Sequence, residues 1–103
     1  MEVLELCATD VGNDGLPHLA DLPSLRSLIL RKTKVTDPGL VYLANAKTLK
    51  SLDLSYTTVS NAGMVHLTEL STLRTLNVSN TKVNDQGKIF LRSAVPGCTF
   101  TGR

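Results

Sequence analysis

Leu28-Ile-Leu-Arg-Lys-Thr-Lys-Val-Thr-Asp-Pro-Gly-Leu40 decides the reading of this chain, because it returns as Leu76-Asn-Val-Ser-Asn-Thr-Lys-Val-Asn-Asp-Gln-Gly-Lys88. Shifting the sequence on itself by 24 residues lines up the whole chain without a gap. Leu4, Leu28, Leu52 and Leu76 share one column, and Leu6, Leu30, Leu54 and Val78 the next but one. Thr9, Thr33, Thr57 and Thr81 follow, then Val11, Val35, Val59 and Val83, then Gly15, Gly39, Gly63 and Gly87. Leu19, Leu43, Leu67 and Leu91 close the unit, with Leu25, Leu49 and Leu73 opening the next. A fixed period of this length marks stacked units that bury a continuous core only by packing on one another.

Each unit changes its hydrophobic period midway. The x-L-x-L-x stretch alternates with period two, as a strand buried on one face does. Leu40 and Leu43, or Met64 and Leu67, then stand three apart on one helical face. At the junction the column Asn13, Asp37, Asn61 and Asp85 has the residue types of helix N-caps, and Pro38 suits a first helical position. The preceding column, Gly12, Thr36, Ser60 and Asn84, is also eligible. The threonine column falls where the chain bends out of the strand, and its hydroxyls are expected to satisfy backbone groups there.

The two quoted segments resemble the "LxLxxTxVTDxGL" variety of the leucine-rich-repeat superfamily, common in bacterial repeat proteins. They are also similar to the cysteine-containing repeats of F-box proteins, with Thr33 and its equivalents where those carry Cys or Asn. The resemblance covers essentially the whole chain. It implies an α/β fold: a right-handed solenoid with a parallel concave sheet, short convex helices and about four 24-residue repeats. It also implies recognition of another protein. The repeats expected are 1–24, 25–48, 49–72 and 73–96, with 97–103 as a partial strand closing the core, all in one domain. Met1 falls inside a repeat, so the chain is expected to be the C-terminal part of a longer protein.

Composition narrows the function classes. The 103 residues carry a net charge of +2, and 4% are aromatic, with no Trp. That leaves neither the clustered positive charge nor the stacking platforms of a nucleic-acid binder. No apolar run reaches the roughly 18 residues of a membrane helix, and the N-terminus lacks a signal-peptide pattern. The chain contains no HExxH, no CxxC, no nucleotide-binding glycine pattern and no G-x-S-x-G, so no catalytic residue, cofactor or metal is expected. Cys7 and Cys98 lie four rungs apart, about 19 Å at sheet spacing, beyond the roughly 7 Å that a disulfide spans. Two free thiols fit a cytoplasmic protein.

The expected binding surface is the concave face, with Ile29, Arg31, Lys32, Asp53 and Tyr56 at its centre and Glu5 and Asn77 beside them. Exposed Ile, Arg and Tyr together have the composition of an interface centre. The columns taken to face solvent are Val3/Ser27/Ser51/Thr75, Glu5/Ile29/Asp53/Asn77, Cys7/Arg31/Ser55/Ser79 and Ala8/Lys32/Tyr56/Asn80. The ladder Arg26, Lys50 and Arg74 reads as a solvated edge, with an acidic partner or phosphates as its alternative. His18, Tyr42, His66 and Phe90 read as half-buried packing groups rather than metal ligands. The expected function is a non-catalytic protein-binding module. A structural spacer and the recognition part of an F-box-like ubiquitin-ligase adaptor are the alternatives. Self-association through the first repeat is expected too, since the outer edge of its strand is uncovered.

Overall fold

The computed structural model describes residues 3–6, 12–17, 25–44 and 46–101. Five short strands, β1 (Val3–Glu5), β2 (Ser27–Ile29), β3 (Ser51–Asp53), β4 (Thr75–Asn77) and β5 (Thr99–Thr101), form one parallel sheet in the order β1-β2-β3-β4-β5. The register follows the repeat: Leu4, Leu28, Leu52, Leu76 and Phe100 stand on successive rungs. Pairing runs past the strand ends, where the Leu30 N–H donates to Asp53 O and the Leu54 N–H to Asn77 O, both at 2.8 Å. The strands therefore stack rung upon rung as a solenoid, as the repeat led one to expect.

The convex side carries a 3-10 turn at Asn13–Gly15, another at Asp37–Gly39 leading into α1 (Leu40–Leu43), then α2 (Asn61–Met64) continued by the 3-10 segment Val65–Glu69, and α3 (Asp85–Ala94). Between sheet and helices lies the core. Leu28, Leu30, Val35, Leu40, Leu43 and Leu49 are wholly buried, and so are the next unit's Leu54, Val59, Met64, Leu67 and Leu73. Each such side chain stabilises the fold by about 2 kcal/mol relative to exposure. At the β1 edge of the described sheet Leu4 and Leu6 are only partly buried.

The helix starts differ from the first of the two sequence expectations. Asn13, Asp37, Asn61 and Asp85 are first helical residues, so the N-caps are Gly12, Thr36, Ser60 and Asn84. Only Asn84 uses its side chain as a cap, accepting from the N–H groups of Gln86 and Gly87 at 3.0 and 3.4 Å. The Asn/Asp column reaches instead to the next rung. Asp37 accepts from the Ser60 N–H at 2.7 Å and the Ser60 hydroxyl at 2.5 Å. Asn13 accepts from the Thr36 N–H at 3.0 Å and donates to Thr36 Oγ1 at 2.7 Å. Asn61 does the same to Asn84, at 3.0 and 2.7 Å. Each clamp explains the glycine three places beyond its partner cap. A Cβ on Gly39 would fall 1.9 Å from Asn13 Oδ1, on Gly63 2.5 Å from Asp37 Oδ1, and on Gly87 2.1 Å from Asn61 Oδ1.

Candidate functional site

The sheet-side surface is shaped by the turn that follows each strand. At its third position the backbone is left-handed on three rungs, with φ of 60° at Lys32, 59° at Tyr56 and 57° at Asn80. Asn tolerates this region; for Lys and Tyr it costs on the order of 1–2 kcal/mol each. Hydrogen bonds on each of these rungs hold the conformation. The Thr33, Thr57 and Thr81 hydroxyls donate to the carbonyls of Leu30, Leu54 and Val78 at 2.7, 2.7 and 2.6 Å, as the threonine column led one to expect. The N–H groups of Lys32 and Tyr56 donate to the next rung's Ser55 and Ser79 carbonyls at 3.0 and 2.9 Å.

This turn throws the Lys32 and Tyr56 side chains outward and brings three of the expected residues together. The Arg31 guanidinium carbon lies 4.7 Å from the Tyr56 ring centroid, and the Lys32 ammonium 5.4 Å from it. Tyr56 is 45% exposed, and both cations are exposed. Two cations thus share one aromatic ring across a rung, at distances where a cation–π attraction operates.

The other expected residues form a row beside this cluster. Glu5, Ile29, Asp53 and Asn77 are register partners on β1 to β4. Glu5 is exposed, whereas Ile29, Asp53 and Asn77 are half-buried. Asp53 is committed locally: its Oδ1 accepts from the Ser55 N–H at 2.9 Å and hydroxyl at 2.6 Å. Asn77 Oδ1 likewise accepts from the Ser79 N–H at 3.0 Å. Ser55 and Ser79 are themselves buried, at 1% and 8% exposure, so their column does not present a row of side chains to solvent. Of that column's described members only Arg31 is exposed, because the strand has already bent away at the serines.

The cation ladder is exposed throughout: Arg26, Lys50 and Arg74 precede β2, β3 and β4, with Lys50 N–H to Arg26 O at 2.7 Å and Arg74 N–H to Lys50 O at 2.8 Å. Next to it run the half-buried hydroxyls of Ser27, Ser51 and Thr75, the last donating to Ser51 Oγ at 3.0 Å.

The convex side holds a feature that the sequence reading did not single out. Val41, Val65 and Ile89 occupy one column and are 46%, 53% and 64% exposed. In the adjoining column Tyr42 and Phe90 are 41% and 47% exposed, more open than packing groups, with His66 half-buried between them. A shallow groove of about 350 Å³ between α2 and α3 is lined by Ala62, Val65 and Phe90. The period of 24 placed these residues on the helices, but a helix this short has no periodicity to tell its outer face from its flank.

Cys98 is a free, buried thiol, and burial raises its pKa against a smaller lowering by Arg92. Cys7 and His18 lie outside the described residues. Among the described residues no three His, Cys, Asp or Glu side chains gather to hold a metal, and no helix is long and apolar enough to cross a membrane.

Comparison with known proteins agrees with this architecture. The profile of the family described as "Leucine Rich repeat" matches residues 21–44, 45–67 and 69–88. Among solved structures, an internalin of Listeria monocytogenes is similar at 22% identity and a TM-score of 0.50, over 82% of this chain and 30% of the internalin. A leucine-rich-repeat protein of Leptospira interrogans is similar at 17% identity and a TM-score of 0.49, over 84% of this chain and 27% of its own. The chain spans less than a third of either. No curated protein sequence matches it. With three successive units matched by one profile, and with the strand register, buried leucines and threonine-closed turns repeating at the same interval, this chain belongs to the leucine-rich-repeat family.

Proposed function

We propose that this chain is a non-catalytic module that binds another protein through its concave sheet face. The observation that carries the reading is the Tyr56 ring, held exposed on a left-handed turn with Arg31 and Lys32 on its face. An aromatic ring and arginine fixed in place, at little further entropy cost, are the anchors around which interfaces concentrate their energy. Glu5, Ile29, Asp53 and Asn77 form the flanking row. Ile29 supplies apolar contact, and Asp53 and Asn77, already bonded to the turn, act mainly by holding its shape. Every rung adds another row of side chains to the sheet.

The test compares three versions of the chain as baits against extract of the cells that make it: wild type, Arg31→Ala/Tyr56→Ala, and Val65→Glu/Ile89→Glu on the convex side. Quantitative mass spectrometry should show captured proteins that the sheet-face variant loses and the convex variant keeps. The opposite pattern would place the site on the helices. If both variants capture as wild type does, the spacer reading gains, and the adaptor reading falls with the sheet-face site. The free thiol of Cys98 suits the cytoplasm as the place of action.

A second reading, compatible with the first, is self-association through β1. Its outer edge is unpaired in this sheet, and Leu4 and Leu6 beneath it keep part of their surface in solvent. Sedimentation velocity across a concentration series should show a dimer that Leu4→Lys abolishes.

A further inference from the structure

The sheet side of the molecule is basic at both ends of its strands, and this points to the chemistry of the partner. We infer that the concave face receives an extended acidic stretch of a partner protein. The inference rests on the sheet-face reading above and gives that site a ligand class.

At the entrance of the strands Arg26, Lys50 and Arg74 stand one rung apart, all exposed. At the exit Arg31 and Lys32 share the Tyr56 ring at 4.7 and 5.4 Å. Against these cations the described residues of the sheet side offer two acids. Asp53 has one oxygen taken up by the Ser55 N–H and hydroxyl, and Glu5 stands apart on the edge strand β1. The remaining acids of the described chain are on the other side. There Asp37 clamps Ser60 and Glu69 pairs with Lys47 at 3.3 Å.

The cluster at Tyr56 gives a separate argument. The ring draws Arg31 and Lys32 together, and no described carboxylate forms an ion pair with either. Like charges held in that way repel, and an incoming carboxylate would turn the repulsion into a paired contact. The hydroxyls of Ser27, Ser51 and Thr75, between the two basic ends, can bond peptide groups of a chain crossing the sheet.

Arg74 and Lys32 stand two rungs apart, about 10 Å across the sheet, the first before its strand and the second in the turn after its own. An acidic stretch lying across the sheet between them meets both basic ends at once.

The probe is a fluorescein-labelled octaglutamate peptide, titrated by anisotropy with the whole chain. Octalysine, a neutral Gly-Ser octamer and a decathymidine oligonucleotide are the comparison arms. Octaglutamate should bind, the other two peptides should not, and affinity should fall about tenfold or more between roughly 20 and 200 mM salt. Lys50→Gln/Arg31→Gln should weaken binding about tenfold, whereas Arg92→Gln on α3 should change it less than about twofold. Circular dichroism melts check that each variant is folded, and single Lys50→Gln and Arg31→Gln variants replace the pair if it is not. Failure of octaglutamate to bind, or equal weakening by Arg92→Gln, overturns the inference. So does tighter binding of the oligonucleotide with the same sensitivity to variants, which would assign the face to nucleic acid. A protein captured through Arg31 and Tyr56 but lacking an acidic stretch would also overturn it, leaving the sheet-face site in place. The sheet-face reading fails separately, on capture that survives Arg31→Ala/Tyr56→Ala.

Discussion

Replacing Asp37 by Ala removes two hydrogen bonds that join one unit to the next, and the loss should be visible in a simple melt. The carboxylate accepts from the Ser60 N–H at 2.7 Å and from its hydroxyl at 2.5 Å, at a partly buried joint. Hydrogen bonds to a charged group contribute about 1.5–3 kcal/mol each when shielded. Partial exposure argues for the low end, so the pair is worth about 2–3 kcal/mol. For a domain of this size that lowers the melting temperature by about 10 °C or more. Asp37→Asn should cost less than about 1 kcal/mol, since Asn13 and Asn61 already perform the same task on their own neighbours. Urea titrations of wild type, Asp37→Ala, Ser60→Ala and the double variant, followed by circular dichroism, close a cycle on the hydroxyl contact. A coupling of about 1 kcal/mol is expected. Gly63→Ala adds an independent check, because its Cβ would come within 2.5 Å of Asp37 Oδ1 and 2.7 Å of Leu40 Cδ1. It should be costly alone and less so once Asp37 is Ala. If Asp37→Ala costs under about 0.5 kcal/mol, or adds independently to Ser60→Ala, the joint between units does not rest on these clamps.

Three further outcomes are expected. Thr57→Val removes the buried hydroxyl that donates to Leu54 O at 2.7 Å and should cost on the order of 1 kcal/mol in the same titration; a neutral result would deny the threonine column its role. Lys32→Gly relieves a left-handed residue and should stabilise by about 0.5–1 kcal/mol in the same titration. The Cys98 pKa is raised by burial, so the unfolded chain releases the thiol proton first. Stability is then unaffected below the ordinary thiol value of 9.0, and should fall as pH climbs from there towards the folded value; Cys98→Ala should flatten that part of the pH–stability curve.

Most of the architecture could be read from a repeat free of insertions. One unit's register sets all the others, which is why Leu28, Leu52 and Leu76 could be placed on successive rungs and the threonine hydroxyls assigned before any coordinates. What the period could not supply is the direction in which a side chain reaches. Asp37 has the residue type of a cap, and local rules assign such a residue to its own helix; its real partner is 23 residues on. A signal was present in the pairing of Asn or Asp with a glycine 26 residues later, at 13 and 39, 37 and 63, 61 and 87. The left-handed turns were hidden for another reason. Lys32 and Tyr56 are poor residues for positive φ, and only Asn80 hints at it, so tertiary hydrogen bonds override local preference there. That override also buries Ser55 and Ser79, which alternation alone would have left in water.

The clamps also bear on how such a chain can gain or lose a unit. Cutting out residues 25–48 would bring Asn13 against Ser60, whose hydroxyl can accept from the amide as Thr36 Oγ1 does, so the seam heals. Cutting out residues 49–72 would bring the Asp37 carboxylate against Asn84. That residue's side-chain oxygen takes the proton of Asn61 now, and the N–H groups of Gln86 and Gly87 hold it in that orientation. Two acceptors would then face each other across the seam. Units of identical length and outline are thus not interchangeable, and recombination between them is filtered by a donor–acceptor grammar written at one position per unit.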